Sequence, residues 1–373
     1  MVTVKEVTTK NELRKFADYP NVLYSDNPYY IPHLYADDLE DWDPKKNPAF
    51  EHCRAKCFLA YKDGEVVGRI GAILSKKANE KYANKRMRFT CVDFIDDEEV
   101  SNALFAAVES FAAECGCTEV HGPLGFTDLD SEGMLVEGFD QKAQFFTYYN
   151  HPYYNEHMAR LGYAKDVDWI EYKIEIPNAP LDKLDKMAGF VMRSNRLHIL
   201  DIKRHQVGQV VQRVFKLLNE AYSVLYGVVP LSDEQVIRYA KKFVPLINFD
   251  YTCFVENENN ELVAFGLTAP SMADALKKSR GRLFPFGAFR VLHALKHNDT
   301  LDLFLVAVRP DLQGTGINAI LLNKVLKNAV KNGIKYAETG PMLEHNAKVQ
   351  AQWKFFDKTQ HKRRRCYVKA LDA

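Results

Sequence analysis

The amino-acid sequence predicts an α/β (α+β) protein built as two tandem domains, each a mixed central sheet flanked by helices. Three observations carry this expectation. The chain has 373 residues, and at ~150 residues per domain two domains are the natural count. A hairpin followed by strand, helix, strand, helix and strand occurs in the same order in each half. Between the halves, "IPNAPLDKLDKMAG" interrupts the pattern with Pro177, Asn178 and Pro180 ahead of a charged amphipathic segment. Domains spanning 1–180 and 190–373 are expected.

In the first half, "CFLAYKDGEVVGRIGAIL" places two apolar runs around Asp63-Gly64, a hairpin signal. "RFTCVDFI" is a strand. "EEVSNALFAAVESFAAECG" carries Ala103, Leu104, Ala107, Val108 and Phe111 at helical spacing, with Gly116 as the stop. "TEVHGPL" is a strand ending in a turn. In the second half, "VGQVVQRVFKLLNEAYSVLY" and "SDEQVIRYAKKFV" are helices, the latter with Ser232 as N-cap. "YTCFVENENNELVAFGLTAP" is a hairpin around Asn257 to Asn260, and "TLDLFLVAV" is a strand. A helix at about Ile317 to Asn332 ends at Gly333. "IKYAETG", "NAKVQAQWKFFDKT" and "RRRCYVKAL" read as strand, helix and strand. The symmetry is one of order, not of residue identity.

Hydrophobic residues make up 47% and charged residues 27%, enough for a packed core. A net charge of +1 supplies no global attraction to nucleic acid or to an anionic membrane. The N-terminus "MVTVKEVTTKNELRKFADYP" lacks the apolar stretch of a signal peptide. No apolar run approaches the ~18 residues of a membrane span. Seven cysteines with no CxxC pair fit reduced thiols, so a cytoplasmic location is expected. "DLDSEG" sets Asp128, Asp130, Glu132 and Gly133 at the first positions of a calcium loop. Phe139 stands where that loop needs a bidentate Glu, so no metal site is expected.

The stretch "VRPDLQGTGINAILLNKVL" begins as a strand and ends as a helix, with Gln313, Gly314 and Gly316 between. At such a junction the first helix N–H groups lack partners, the helix dipole is positive, and small residues allow close approach. That combination suits an anion, above all phosphate. The spacing matches neither a P-loop nor a dinucleotide-binding turn, since no Lys follows Gly316 and position 319 is Ala.

The motif V-x-P-x-x-Q-G-x-G-I resembles the acyl-CoA loop of the GNAT acyltransferase superfamily. Its Gln or Arg, second Gly, and Gly or Ala fall on Gln313, Gly316 and Asn318, the last a departure. The resemblance covers about Leu197 to the C-terminus. It implies a tandem pair of GNAT-like domains and an N-acyltransferase using acetyl-CoA or another acyl-CoA. The implied acceptor is a small-molecule amine or peptide; the near-zero net charge and the short apolar runs point to neither nucleic acid nor membrane as partner. By the same resemblance, the amides of Gln313, Gly314, Thr315, Gly316, Ile317 and Asn318 would hold the pyrophosphate. The Val308 backbone would pair with the pantetheine arm. Asn346 would stand at the family's second cofactor element. Trp353 occupies the place of the Tyr that protonates the leaving thiolate, and an indole N–H is no useful acid. Tyr367 is a weak substitute.

The family commonly carries a Glu six residues before the strand-ending Val, a position held here by Asp302. Period-2 alternation puts Asp302 on the face of Phe304, Val306 and Val308. Asp302 is therefore the expected general base, against the alternative that it only starts the strand, and Glu338 is the reserve. The first half has Asp96-Asp97-Glu98-Glu99 where a glycine loop would lie, so it reads as a degenerate copy without a cofactor loop. Its "GPLGFTDLDSEGMLVEGFDQKAQFFTYYNHPYY", with "YIPHL", resembles uncharacterised tandem GNAT-like bacterial proteins. "TYYNHPYY" is either a wall packed against the second domain or an acceptor pocket containing His151. "HKRRRCYVK" is either a solvated edge strand or a partner for an acidic group. Two alternatives stay open for the whole chain. One is a non-catalytic CoA- or metabolite-binding protein, and the other is transfer of a longer acyl or an aminoacyl group.

Overall fold

The computed structural model describes residues 1–371. The first half runs β1 (Thr3–Glu6), α1 (Lys10–Leu23), α2 (Tyr35–Asp41), β2 (Cys53–Lys62), β3 (Glu65–Ser75), α3 (Lys76–Tyr82), β4 (Arg86–Phe94), α4 (Glu98–Glu114), β5 (Glu119–Gly122), β6 (Met134–Glu137), α5 (Tyr153–Arg160) and β7 (Ala164–Glu175). The second runs α6 (Asp182–Ser194), β8 (His198–Ile199), α7 (Val207–Tyr222), α8 (Asp233–Phe243), β9 (Cys253–Glu256), β10 (Leu262–Pro270), α9 (Ala273–Ser279), α10 (Gly287–Ala294), β11 (Thr300–Val308), α11 (Asn318–Lys331), β12 (Tyr336–Thr339), β13 (Met342–Leu343), α12 (Ala347–Ala351) and β14 (Lys358–Ala370).

Local chemistry accounts for the hairpins and caps. Asp63 (φ 52°) and Gly64 (φ 86°) take the left-handed turn that suits right-twisted strands, so β2 and β3 pair antiparallel. Ser232 accepts the Gln235 N–H while the Gln235 side chain accepts the Ser232 N–H, a reciprocal capping box that starts α8.

The chain forms two compact units. Unit 1 comprises Met1–Ile170, Met272–Val291 and the C-terminal segment from Lys362; unit 2 comprises Glu171–Ser271 and Leu292–His361. In unit 1 the strand order is β1-β2-β3-β4-β5-β14-β7, with β4 and β5 parallel. In unit 2 it is β7-β12-β11-β10-β9-β8, with β11 and β12 parallel and the pairs on either side antiparallel. Each unit therefore has a mixed sheet. Unit 2 begins with the end of β7, from the first half, and unit 1 contains most of β14, from the second. These units are discontinuous, unlike the continuous spans 1–180 and 190–373 read from the sequence. The reason is physical: a strand closes whichever backbone edge it reaches, and chain order does not encode which. The expected linker also runs into a helix, α6, whose Leu184, Ala188 and Val191 are buried with Ile317, Ile320 and Leu321 of the α11 region.

Two sequence readings are corrected in unit 1. The basic run is not a solvated edge. β14 pairs with β5 and β6, and both Lys362 and Arg364 are buried. Arg365 and Arg363 hydrogen-bond the buried Asp168 carboxylate at 2.8 and 3.2 Å. Asp168 thus gives two of the charges in the row a buried partner. The aromatic stretch packs inside unit 1 itself. Tyr154 stacks on Phe94 with ring centroids 4.2 Å apart, and its hydroxyl lies 2.9 Å from that of Tyr24.

Candidate functional site

The glycine loop lies in unit 2, between β11 and α11. Gly314 (φ 83°) and Gly316 (φ 90°) both adopt backbone that side chains disfavour. Around Gly314 the space is open, with no heavy atom within 4 Å of where a Cβ would sit. At Gly316 a Cβ would press Val191 Cγ2 of α6 at 3.2 Å. The N–H groups of Gly314, Gly316, Ile317 and Asn318 find no acceptor among the described residues. The Asn318 side-chain oxygen is buried and likewise unpartnered. With that amide turned over, its NH₂ would add another donor. Thr315 differs, since its hydroxyl donates to the Leu312 carbonyl at 2.7 Å. Arg309 is tied up by Asp311 and Glu261 at 2.7 and 3.3 Å, so the loop's attraction for an anion comes from amides and the helix end rather than from a cation. These residues fit a pyrophosphate.

Beside the loop, β11 outruns its neighbour. β12 pairs with Thr300 to Leu303, and β11 runs on beyond that pairing to Val308. The open edge is capped by side chains. The Val308 carbonyl accepts from Gln313 Nε2 at 3.2 Å, and the Val306 carbonyl accepts from the Tyr222 hydroxyl at 3.0 Å. In a strand the N–H and C=O of one residue point to the same edge. The Val306 and Val308 amides are thus available along this opening.

A bulge in β11 changes where the carboxylates point. Leu267 opposes Leu305 and Thr268 opposes Leu303, so Phe304 is an extra residue. Across it the alternation reverses. Val308, Val306, Leu303 and Leu301 face α6 and α11, where they join buried Ile317, Leu326 and Ala329. Asp302, opposite Ala269, shares the other face with Leu305 and Leu267, against α7 and α8. The expectation that Asp302 lies on the face of Val308 is therefore overturned. The same register sets Asp302 directly beside Glu338 of β12. Asp302 is almost wholly buried, while the Glu338 side chain is 17% exposed and lies 3.9 Å from His361 Nε2. The first choice and the reserve thus come together, and the reserve is the more accessible.

On that face an apolar chamber, open at its mouth, is lined by Val210, Val214, Phe215, Leu218, Leu267 and Leu305, among others. Leu305 and Asp302 are successive side chains on this face of β11, one on each side of the bulge.

The remaining candidates serve structure. Asn346 caps α12, its side-chain oxygen accepting the Val349 N–H at 3.3 Å. Trp353 is buried and its indole N–H points to Met342 Sδ at 3.3 Å. Tyr367 belongs to unit 1, buried in its core with its hydroxyl donating to Asn155 at 2.7 Å. Burial raises the Tyr367 phenol pKa above its ordinary value. The sequence reading missed the contact of Tyr222 with Val306 and the approach of His361 to Glu338. Tyr222 ends an amphipathic helix and carries no motif. His361 was visible only as the head of a basic run.

Comparison with known proteins agrees with this geometry. Residues 211–357 match the Acetyltransferase (GNAT) family. That stretch of the second half carries the GNAT match. It is 28% identical to Protein YghO of Escherichia coli K12, over 99% of this chain and 95% of that one. It is 27% identical to a bacterial ceramide synthase of Caulobacter vibrioides, over 99% and 98% of the two chains. A tandem GNAT protein from the clavulanic acid biosynthesis pathway superposes over 100% of this chain and 99% of its own, with TM-score 0.56 and 12% identity. A GCN5-related N-acetyltransferase from Sphaerobacter thermophilus covers 99% and 95%, with TM-score 0.51 and 11% identity. At such identities the two structures speak to the fold alone.

Proposed function

We propose that this GNAT acyltransferase moves an acyl group from acyl-CoA to a primary amine carried on a long apolar chain. The observation that carries the reading is the chamber: a cavity with an apolar lining opens on the same sheet face as the Asp302–Glu338 pair. An acceptor with a hydrocarbon tail and a polar amine head matches that gradient. The name of the Caulobacter vibrioides relative, a ceramide synthase, points the same way, since a ceramide is the amide of a long-chain amino alcohol.

Acyl-CoA supplies an activated thioester. Gly314, Gly316, Ile317 and Asn318 would hold its pyrophosphate through their N–H groups, with Val308 lending backbone along the β11 edge. An amine is protonated near neutral pH and cannot attack until it loses a proton. Glu338 is the better-placed acceptor for that proton, with Asp302 buried behind it and His361 alongside. The amine nitrogen then bonds to the acyl carbon, the C–S bond breaks, and the leaving sulfur takes up a proton. Trp353 cannot give it. The Tyr222 hydroxyl, at the opening beside β11, is the replacement donor this reading names. A longer acyl group in the same chamber is a second reading, because the cavity does not distinguish which of the two chains fills it.

The test is a screen for thiol release with the full-length protein, crossing acetyl-, octanoyl- and palmitoyl-CoA with amines from ethanolamine to long-chain amino alcohols. Turnover should rise with acceptor chain length. Turnover that depends on acyl length alone would move the chamber to the donor side. Binding of CoA with no acylation of any amine would favour a binding protein.

A further inference from the structure

We propose that unit 1 carries a docking surface for an anionic lipid bilayer, formed by the segment Lys277 to Arg290. The segment "KKSRGRLFPFGAFR" puts Phe284, Phe286 and Phe289 into solvent at 87%, 66% and 72% exposure, with Leu283 also exposed. Isolated exposed apolar residues need no explanation, but three phenylalanines within six positions do. At 150–250 Å² per ring they expose on the order of 400 Å² of apolar surface, the size at which a patch marks a contact site.

The patch is held rigidly. Arg282 ion-pairs with Asp18 at 2.9 Å and lies over the Tyr35 ring at 4.3 Å. Arg280 donates to the Asn21 carbonyl at 3.0 Å, and Arg290 to the Lys278 carbonyl at 3.1 Å. A Cβ at Gly287 would fall 1.8 Å from the Arg282 carbonyl oxygen, so the backbone folds tightly on itself just where the rings emerge. A loop this firmly fastened has no internal reason to leave its aromatic tips in water.

Charge identifies the occupant. Lys277, Lys278, Arg280, Arg282 and Arg290 lie in this stretch, and no Asp or Glu occurs between Asp274 and Asp299. The chain as a whole carries only +1, so this is a local concentration that the net charge hides. Lys278, Arg280 and Arg290 are exposed. Aromatic tips ringed by cations suit the interface of an anionic membrane, where rings enter the headgroup layer and cations meet lipid phosphates. No helix among the described residues is long and apolar enough to cross a membrane, so attachment would be to the surface.

The experiment is flotation of the full-length protein with vesicles of phosphatidylcholine alone or with about 30% phosphatidylglycerol. Wild type should float with the anionic vesicles and far less with the neutral ones, and salt should weaken the binding. Replacing Phe284, Phe286 and Phe289 together by Ser should lower partitioning about tenfold or more. The melting temperature should stay unchanged, because the rings contribute little to the core. Lys278→Glu should lower binding about fivefold or more on anionic vesicles and leave neutral vesicles unaffected. Failure of wild type to float, or triple-variant binding equal to wild type, would overturn the proposal. A wild-type dimer by ultracentrifugation that becomes a monomer in the triple variant, without vesicle binding in either, would make the patch a protein interface and overturn it too.

Discussion

If the glycine loop holds a pyrophosphate, a negative charge placed at Gly314 must weaken CoA binding by an amount that follows from Coulomb's law. Gly314 suits the test better than Gly316. A side chain at 316 would crowd the Val191 methyl at 3.2 Å, whereas the Cβ position at 314 is clear to 4 Å. Asn and Asp both tolerate the left-handed backbone (φ 83°) better than other side chains, so the pair shares one conformational cost of ~1 kcal/mol. They differ by one charge. At ~6 Å from a pyrophosphate bearing two charges, with an effective dielectric near that of water as suits an open loop, the repulsion is ~1–2 kcal/mol. Gly314→Asn should therefore bind CoA nearly as wild type does, and Gly314→Asp roughly 5–30-fold more weakly. Titration calorimetry on the full-length protein at two salt concentrations is the assay, and the gap should narrow at high salt. Equal affinity of the two variants would refute the loop assignment, as would wild type that shows no CoA binding.

Three further outcomes are expected. Glu338→Gln should lower kcat ~10²–10⁴-fold with CoA affinity unchanged and with partial recovery at high pH, where the amine deprotonates unaided; a flat effect across pH would remove Glu338 as the base. Val214→Trp, which fills the chamber, should cut kcat/KM about tenfold or more for long-chain amines and little for short ones, and an equal loss for both would detach the chamber from the acceptor. Burial pushes the Asp128 carboxyl up to about 6, so the folded chain holds that proton more tightly than the unfolded one, whose carboxyl titrates near ~4. This stabilisation is complete below about pH 4 and is lost as pH rises through about 6, so Asp128→Asn should raise Tm relative to wild type at pH 7 and scarcely at pH 4, by scanning calorimetry.

Features written in neighbouring residues were legible in the sequence. Asp63-Gly64 marks its hairpin, Ser232 and Gln235 mark their helix start, and the spacing of Gln313, Gly314 and Gly316 marks the loop. Each is a local backbone requirement that few residue types satisfy. Features that depend on partners far along the chain were not legible. "HKRRRCYVK" looks solvated until Asp168 is placed beside Arg363 and Arg365. "TYYNHPYY" looks like an interface until Phe94 and Tyr24 are found against Tyr154. The strands that join each sheet follow one order in sequence whichever unit receives them, so unit membership of β7 and β14 could not be read in advance.

The bulge at Phe304 is the sharpest case, because the proposed chemistry turns on it. "LDLFLVAV" contains no Gly, Pro or Asn to mark an irregularity, and strict alternation is the right default for such a strand. Had alternation held, Asp302 would face α6 and α11, an aliphatic layer containing Leu326 and Ala329, with Glu338 still on the opposite face. A lone carboxylate there would be costly to bury and useless to an amine arriving from the chamber. One extra residue turns Asp302 to the face of Glu338 and Leu305 while leaving Val306 and Val308 on the face that packs with the loop helix. The same insertion falls where β12 stops pairing, at Leu303 and Thr339, so the place where the strand changes face is also the place where its edge opens. A ligand arm lying along that edge and an amine head coming from the chamber would meet there, one from each side of the sheet. The bulge is thus the structural reason to look for the reaction at Phe304, a residue whose identity alone gives no hint of it.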